Sequence, residues 1–285
     1  MITGEIEDLK KRIPELEDSL QIALLPEDPN DEKNIFLEIR AGAGGDEAGL
    51  FGRELALAYL AYAKTQGFQV DAVSESWNDA SGYKEAIFKV DGHGAYSKFK
   101  FEAGTHRVQR IPETEKNGRV HTSTITVAIM PEVEDIDIDI REEDLEITAC
   151  RASGAGGQHV NKTNSAIRVV HIPTGLAVEC QDQRSQLQNK IKAISVLRSR
   201  LFALEEEKKE KELGESRLAQ VGTGDRSEKI RTYNFPQDRV TDHRINQNFS
   251  NLPAIMMGGL DDIIDALTIA DQTMKLEAIA SGEGK

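Results

Sequence analysis

The chain has 285 residues, of which 39% are hydrophobic and 29% charged, and its formal net charge is −14 at neutral pH. This length exceeds that of one ordinary small domain and predicts two or three domains. We expect a soluble, globular protein, because no apolar run is long enough to span a bilayer and the start lacks a signal-peptide core. Cys150 and Cys180 have neither a CxxC partner nor a neighbouring histidine cluster, which argues against a disulfide framework or a zinc site and favours the cytosol.

The charge is distributed unevenly along the chain. Residues 1–50 contain thirteen acidic and five basic residues. Residues 131–149 contain nine acidic residues and one basic residue, Arg141. Residues 151–200 instead contain eight Lys or Arg and two acidic residues, a balance of +6. An acidic protein with one basic segment is compatible with RNA contact through chosen surfaces, although uneven charge is also common in proteins that bind no RNA.

The N-terminal segment has apolar residues at alternating spacings of three and four, which predicts a helix with a coiled-coil-like seam. These residues are Ile6, Leu9, Ile13, Leu16 and Leu20. Pro14 lies inside the helix and is expected to kink it. Two prolines in residues 26–31 predict a linker that follows. We therefore interpret residues 1–29 as the remnant of a larger helical element.

A first globular domain is predicted over residues 30–135. Residues 35–39 have the composition of a strand, which leads into a glycine turn at 42–45 and a helix over 50–63. Further strands are predicted at 68–77, 86–90, 95–101 and 120–129. This order of elements predicts an α+β fold with a mostly antiparallel sheet.

A second, smaller β-α module is predicted over residues 136–221. Residues 136–140 alternate strictly between apolar and acidic, as a half-buried strand does, and a further strand follows near 145–147. Pro173-Thr174-Gly175 has the chemistry of a tight hairpin turn between two more strands. One long helix is predicted from about 184 to 220. The last segment, 222–285, ends in an amphipathic helix over 260–279 that is expected to pack on another domain.

Three glycines precede Gln158 in the second module, and composition alone favours a flexible loop there. The pattern lacks the third glycine of a dinucleotide fingerprint and the Gly-Lys-Ser/Thr of a P-loop. However, the segment SGAGGQHVNKT over residues 153–163 is similar, nearly residue for residue, to the peptidyl-tRNA hydrolysis motif of class I peptide chain release factors. The chain therefore resembles this family, whose members release finished proteins from the ribosome.

The resemblance implies a catalytic role for Gly156, Gly157 and Gln158. In the family this loop enters the peptidyl transferase centre and promotes attack of water on the ester that joins peptide to tRNA. A backbone N–H aimed at the developing oxyanion is worth about a hundredfold or more in rate, and the resemblance assigns that donor to Gln158. Gln158 is also the position at which the family carries an N5-methyl group, which implies a glutamine N5-methyltransferase as a partner. His159 is expected to serve structure or RNA contact, because nothing in the sequence orients it as a base.

No catalytic triad, paired carboxylates or metal cluster accompany this loop in the sequence. We therefore expect no cofactor and no free-standing enzyme activity. The protein would instead complete a site made mainly of ribosomal RNA and tRNA.

A second segment, THRVQRIPETEKNGRVHTS over residues 105–123, taken alone predicts a turn between two strands. It resembles the codon-recognition region of the family, with Pro112-Glu113-Thr114 at the Pro-x-Thr tripeptide that marks the release factor 1 branch. The other branch carries Ser-Pro-Phe there, so the match implies recognition of UAA and UAG but not UGA. Gln109, Thr114, His121 and Thr122 match family positions that contact the second and third bases. Hydroxyl, amide and imidazole groups suit hydrogen bonding and stacking with splayed bases.

The glycine turn completes this site by resemblance. Gly44 and Glu47 match the family positions that recognise the first uridine from a helix N-terminus. Backbone N–H groups there can donate hydrogen bonds to O2 or O4 of uridine, and a carboxylate can accept one from its N3–H. Taken alone, the segment is an ordinary strand-to-helix turn. Five basic residues of segment 151–200 are further candidates for RNA contact: Arg151, Lys162, Arg168, Lys190 and Lys192.

Residues 224–237 and 239–246 resemble the region in which the family's switch loop ends, although composition alone suggests a linker with scattered charge. In total the resemblance extends from about residue 6 to residue 279. Family members usually have a longer N-terminal helical domain, of which only the last helix has a match here, so contacts with the stalk base and with the class II release-factor GTPase stay open. The implied partners are the ribosome at its decoding and peptidyl transferase centres, the mRNA stop codon and peptidyl-tRNA, in the cytoplasm and without a membrane.

Four other interpretations compete with this one. A ribosome-rescue hydrolase shares Gly-Gly-Gln but lacks a codon-recognition domain, and residues 30–130 argue against it. An organellar release factor is compatible with the sequence. A catalytically silent ribosome-binding protein is disfavoured by the intact Gln158. A free-standing metabolic enzyme has the least support, for want of a cofactor or nucleophile motif.

Overall fold

The computed structural model describes residues 12–13, 25, 28–112, 115, 118–133, 140–151 and 164–281. Nearly all of the predicted N-terminal helix and of the alternating strand 136–140, together with the Gly-Gly-Gln loop, lies outside these residues. The chain divides into two compact units, one formed by 1–132 with 216–285 and the other by 133–215. The four-part division expected from the sequence stays a prediction.

The first unit contains an eight-stranded sheet in the order β11-β10-β9-β4-β5-β1-β3-β2. Neighbouring strands are antiparallel except for β4 and β9, which are parallel. Its strands are β1 (Ile35–Ala41), β2 (Gln69–Trp77), β3 (Tyr83–Asp91), β4 (Gly104–Arg110), β5 (His121–Pro131), β9 (Lys229–Asn234), β10 (Arg239–Asp242) and β11 (Gln247–Ser250). The predicted α+β fold with a mostly antiparallel sheet is confirmed.

Helix α1 (Asp46–Thr65) packs against this sheet. It buries Phe51, Leu55 and Tyr59 completely, at the three- and four-residue spacing of one helix face. Ile35, Leu37 and Ile39 of β1 are equally inaccessible, as the two-residue period of a strand with one buried face requires. The helix begins at Asp46, four residues before the predicted start.

Two C-terminal helices contribute to the same core. Helix α4 (Leu252–Met256) follows β11, and helix α5 (Asp261–Ala280) ends the described chain. Ile263, Ile264 and Leu267 of α5 belong to the hydrophobic cluster that contains the buried residues of α1 and β1. The amphipathic tail helix expected from the sequence is present, and its apolar side is covered by the first unit.

One sequence-based assignment in this unit is wrong. Residues 95–101 were expected to form a strand, but they form helix α2 (Ala95–Phe99) and a 3-10 turn (Lys100–Glu102). Ala95 and Phe99 are four residues apart and both fully buried, which is helical spacing that the neighbouring aromatic residues obscured. Composition alone left residues 224–246 open to interpretation as a linker, but they supply β9, which pairs with β4 inside the sheet, and β10, which lies between β9 and the edge strand β11.

A buried ionic network fastens β9 and β10 to the rest of the unit. Arg231 of β9 donates to both oxygens of Glu102, at 2.6 and 2.8 Å, and through Nε to Asp242 at 3.2 Å. Tyr59 adds a hydrogen bond to Glu102 at 2.7 Å. Arg231, Glu102 and Asp242 have no exposed surface, so each charge depends on its partners instead of water.

His106 of β4 borders this network and is also fully buried. Its Nε2 lies 2.8 Å from the backbone oxygen of Glu102, and its Nδ1 lies 3.3 Å from the hydroxyl of Tyr233. Burial lowers the pKa of His106 to about 4. The negative charge of Glu102 opposes this shift, and the positive charge of Arg231 reinforces it. The imidazole is therefore neutral at physiological pH.

The second unit consists of a three-stranded antiparallel sheet and most of a long helix. The strands are β6 (Leu145–Cys150), β7 (Ala166–His171) and β8 (Ala177–Cys180), and the helix is α3 (Gln186–Val221), of which residues 216–221 belong to the first unit. Val169 packs with Leu197 and other helix residues in a small core. Gly175 has a φ of 70°, the left-handed conformation that its tight turn requires. The predicted hairpin and helix are confirmed.

The last turns of α3 contact the sheet of the first unit. Arg217 forms an ion pair with Glu38 of β1. The amide of Gln220 accepts from the backbone N–H of Ile129 at 2.8 Å and donates to its carbonyl at 3.0 Å. Gln220 thus satisfies backbone groups of β5 as a neighbouring strand would.

Among the described residues, no helix combines the length and apolarity that crossing a membrane demands.

Candidate nucleic-acid interface

The β4–β5 hairpin brings together two of the residues that the family resemblance places at the second and third codon bases. Gln109 of β4 lies directly opposite Thr122 of β5, and Arg110 lies opposite His121. Directly opposed residues place their side chains on the same side of the sheet, with Cβ atoms about 5 Å apart. Gln109 and Thr122 can therefore contact one base together.

The glycine turn is attached to the same hairpin. Gly42 donates to the backbone oxygen of Thr124 at 2.9 Å, and Thr124 donates back to Ala43 at 2.8 Å. Gly44 has a φ of 136°, and a Cβ added to it would lie 2.3 Å from Oγ of Ser123. Only glycine fits this conformation and this close approach. The turn therefore holds the predicted first-base residues beside the strand that carries Thr122.

Glu47, in the first turn of α1, is the buried member of the predicted first-base pair. Its side chain is 6% exposed, and its Oε1 accepts from Nε of Arg110 at 2.5 Å. No described residue donates to its other oxygen, Oε2, which is also buried. Leaving a buried acceptor unsatisfied costs about 1–3 kcal/mol, so such atoms require an explanation.

Arg110 makes several contacts at this end of the sheet. Its Nη1 donates to Glu54 of α1 at 2.5 Å. Its guanidinium lies 5.1 Å from the ring centre of Phe235 and 5.9 Å from that of Phe51. Burial opposes its charge, but the hydrogen bonds to Glu54 and Glu47 outweigh that effect and raise the pKa of Arg110. Arg110 and Glu54 were not identified from the sequence.

His121 and Pro112 lie at the end of the hairpin where residues 111–120 connect β4 to β5. The side chain of His121 is 47% exposed, and its Nε2 lies 2.8 Å from a carboxylate oxygen of Glu115. Pro112 is buried, and its carbonyl accepts from the backbone N–H of Glu115 at 3.0 Å. Glu113 and Thr114 lie outside the described residues, so their roles stay predictions.

Strand β9 supports the Gln109–Thr122 pair from the other side. Asn234 donates to the side-chain oxygen of Gln109 at 3.3 Å, and the backbone N–H of Phe235 donates to the Gln109 carbonyl at 3.1 Å. The sequence analysis did not assign Asn234 to the site.

The basic residues of the second unit differ in how free their charges are. Arg151 and Arg168 are exposed, Lys190 is half-buried, and Arg168 forms no ion pair with any residue that the structure describes. Lys192 is exposed but forms an ion pair with Asp182, which raises the pKa of the lysine. Lys162 lies outside the described residues, as do Gly156, Gly157 and Gln158.

Asn189 of α3 connects the helix to the segment that follows the Gly-Gly-Gln loop. Its buried amide donates to the carbonyls of Ser165 at 2.7 Å and Gln183 at 2.8 Å and accepts from the backbone N–H of Gln183 at 2.9 Å. A side chain that satisfies three backbone groups fixes two loop ends at once. Asn189 was not identified from the sequence.

No group of three or more His, Cys, Asp or Glu side chains within the described ranges could hold a metal ion. Cys150 and Cys180 are free thiols.

Comparison with known proteins agrees with the resemblance. Residues 1–127 match the PCRF domain, and residues 134–244 match the RF-1 domain. The chain is 54% identical over 283 residues to peptide chain release factor 1 of Clostridium perfringens (strain 13 / Type A), covering 99% of this chain and 79% of that protein. It is also 54% identical over 276 residues to the protein of the same name from Acetivibrio thermocellus, covering 97% of this chain and 77% of that one.

The fold of the chain is also similar to that of a solved release-factor structure. The chain resembles RF2 of Thermus thermophilus with a TM-score of 0.54 and 37% sequence identity, over 98% of this chain and 76% of that one. The chain matches two release-factor domains, shares high sequence identity with release factor 1 over almost its whole length, and has a release-factor fold. It therefore belongs to the peptide chain release factor 1 family.

Proposed function

We propose that this protein terminates translation by recognising a stop codon in the ribosomal A site and promoting hydrolysis of peptidyl-tRNA. Membership of the release factor 1 family supports both activities. The structural observation that carries the proposal is the clustering of codon-recognition candidates. The glycine turn, the α1 N-terminus and the β4–β5 hairpin form one continuous surface at the end of the sheet.

The arrangement suits recognition of UAA and UAG. Glu47 and the backbone at Gly44 would recognise the first uridine, and the hydroxyl of Thr114 would pair with a second-position adenine. Gln109 and Thr122 would accept either purine at the third position, because an amide or a hydroxyl serves as donor or acceptor. Guanine at the second position would leave a polar group mispaired, at a cost of about 1–3 kcal/mol per lost partner.

Hydrolysis would depend on Gly156, Gly157 and Gln158. We assign to the backbone N–H of Gln158 the stabilisation of the oxyanion, with its side chain shaping the water site. The protein would act as a translation factor that completes the ribosomal site. We extend the proposal to a cytoplasmic location, to N5-methylation of Gln158 by a glutamine methyltransferase and to cooperation with the class II release-factor GTPase.

The exposed lysine and arginine side chains of the second unit would contact ribosomal RNA. Each phosphate that is neutralised releases counterions, so ribosome affinity should fall with salt. Arg168, with no ion-pair partner among the described residues, should contribute more to that slope than Lys192, which already pairs with Asp182. Equal slopes for Arg168→Gln and the parent protein would argue against this contact.

The decisive experiment measures peptide release from ribosomes programmed separately with UAA, UAG, UGA and a sense codon. We expect rapid release at UAA and UAG and far slower release at UGA. Gly157→Ala should abolish release while stop-codon binding persists, because the added Cβ forbids the required backbone geometry. Efficient release at UGA would contradict the codon assignment, and parent-rate release by Gly157→Ala would contradict the catalytic one.

A further inference from the structure

The carboxylate of Glu47 is held asymmetrically. One oxygen, Oε1, accepts from Arg110 at 2.5 Å, whereas Oε2 is buried and receives no hydrogen bond from any described residue. A carboxylate held at neither oxygen could rotate and present either one. The one hydrogen bond from Arg110 instead fixes the orientation of the carboxylate. Oε1 is bonded to Arg110, and Oε2 keeps its capacity to accept another hydrogen bond.

Arg110 is itself rigidly placed. Glu54 accepts from its Nη1 at 2.5 Å, so two carboxylates hold the guanidinium from different nitrogens. The ring of Phe235 lies 5.1 Å from the same group. The side chain is only 13% exposed, so water cannot easily replace these contacts.

We propose that Arg110 is a positioning residue for first-base recognition, which holds one oxygen of Glu47 and leaves the other free to accept the N3–H of uridine. This inference rests on the proposed function, specifically on contact between Glu47 and the first base. Cytosine has a lone pair at N3 where uridine has a hydrogen, so a fixed carboxylate oxygen attracts uridine and repels cytosine. A loosely held carboxylate could turn away and would discriminate less.

The geometry of the guanidinium is essential to this role. Its planar fork reaches Glu47 and Glu54 from two different nitrogens, whereas a lysine ammonium is a point charge on a flexible stem. Arg110→Lys therefore keeps the positive charge while it loses the orientation. The variant separates positioning from simple neutralisation of the two carboxylates.

The test compares kcat/KM for peptide release on ribosomes programmed with UAA, CAA and UGA. We expect Arg110→Lys to lower the UAA/CAA ratio about tenfold while the UAA/UGA ratio stays within about twofold of the parent value. Glu47→Gln should also lower the UAA/CAA ratio. Arg40→Lys is the matched control, because Arg40 likewise lies between two carboxylates, those of Glu38 and Glu85, on strand β1 of the same sheet.

The possible outcomes distinguish the inference from the function on which it rests. If Glu47→Gln keeps the parent UAA/CAA ratio, Glu47 does not recognise the first base, and the assignment fails together with the inference. If Glu47→Gln loses discrimination but Arg110→Lys keeps it, Glu47 recognises the base and charge alone suffices at Arg110, which overturns the inference. Equal loss of both ratios in Arg110→Lys would indicate general loosening of the hairpin and would also overturn it.

Discussion

Arg231 and Arg110 both lie between two carboxylates, and their networks differ in what remains unsatisfied. Arg231 bridges Glu102 and Asp242, and all three side chains have no exposed surface. Arg110 bridges Glu47 and Glu54, but Glu54 is 42% exposed and one oxygen of Glu47 has no described partner. The first network is complete within the protein, and the second is not.

This difference supports a structural role for Arg231 and the proposed positioning role for Arg110. A fully paired buried network has nothing left to offer a ligand, and its value lies in holding β9 and β10 against β4. An incomplete network at a surface retains an acceptor that another molecule can satisfy. Ion-pair chemistry alone would not have distinguished Arg231 from Arg110.

The largest expected effect comes from breaking the complete network. Arg231→Gln leaves Glu102 buried with an uncompensated charge, so we expect a loss of about 3–5 kcal/mol in the free energy of unfolding of the first unit. Arg110→Gln should cost clearly less, because Glu54 can turn to water. Trp77 is the single tryptophan of the chain and lies in the first unit, so its fluorescence in urea reports this transition.

A loss below about 1 kcal/mol in Arg231→Gln, or equal losses in the two variants, would remove the distinction between the networks.

The sequence predicted the local elements of both regions but not the networks. Local elements depend on residues that are close together in the sequence, so their patterns could be recognised there. Examples are the strand at 35–39, helix α1 and the hairpin around Gly175. The segment 95–101 was mistaken for a strand because aromatic spacing concealed a helical turn.

Long-range pairing was the harder part. Strand β9 pairs in parallel with β4, where Gln109 is opposite Asn234 although 125 residues separate them along the chain. No local pattern encodes such a pairing, so the support that β9 gives to Gln109 was missed. The codon-recognition candidates were identified only because the motifs resemble a known family.

The second expected effect is a pH dependence that belongs to the complete network. The folded protein holds the pKa of His106 at about 4, whereas an exposed histidine titrates near 6.5. Between these values the unfolded state binds more protons, so the free energy of unfolding falls as the pH drops from about 6.5 to about 4. The loss approaches about 3 kcal/mol at the acid end.

The control variant for this titration is His106→Gln, which cannot be protonated. Burial alone would raise the pKa of Glu102, but Arg231 outweighs it and lowers that pKa, so Glu102 also destabilises the fold when it is protonated in acid. Glu102 keeps Arg231, its main charged partner, in both proteins, so the difference between their urea transitions reports chiefly on His106. Parallel stability curves for the two proteins from pH 7 to pH 4 would show that His106 is not the titrating group.

The smallest effect concerns the glycine turn beside the incomplete network. Gly44→Ala and Gly45→Ala both add a methyl group at a positive φ, 136° for Gly44 and 62° for Gly45. The Cβ at position 44 would lie 2.3 Å from Oγ of Ser123, whereas the Cβ at position 45 meets nothing within 4 Å. Gly45→Ala should therefore cost about 1 kcal/mol, the penalty of the left-handed conformation, and Gly44→Ala about 1–2 kcal/mol more.

The difference between the two alanine variants measures how closely the turn approaches β5. Because the turn carries Glu47 at its end, displacement by Gly44→Ala should also lower the UAA/CAA ratio of release, and Gly45→Ala should lower it less. Equal losses of stability in the two variants would mean that Ser123 moves aside without cost. The close approach would then not be what places the start of α1 beside β5.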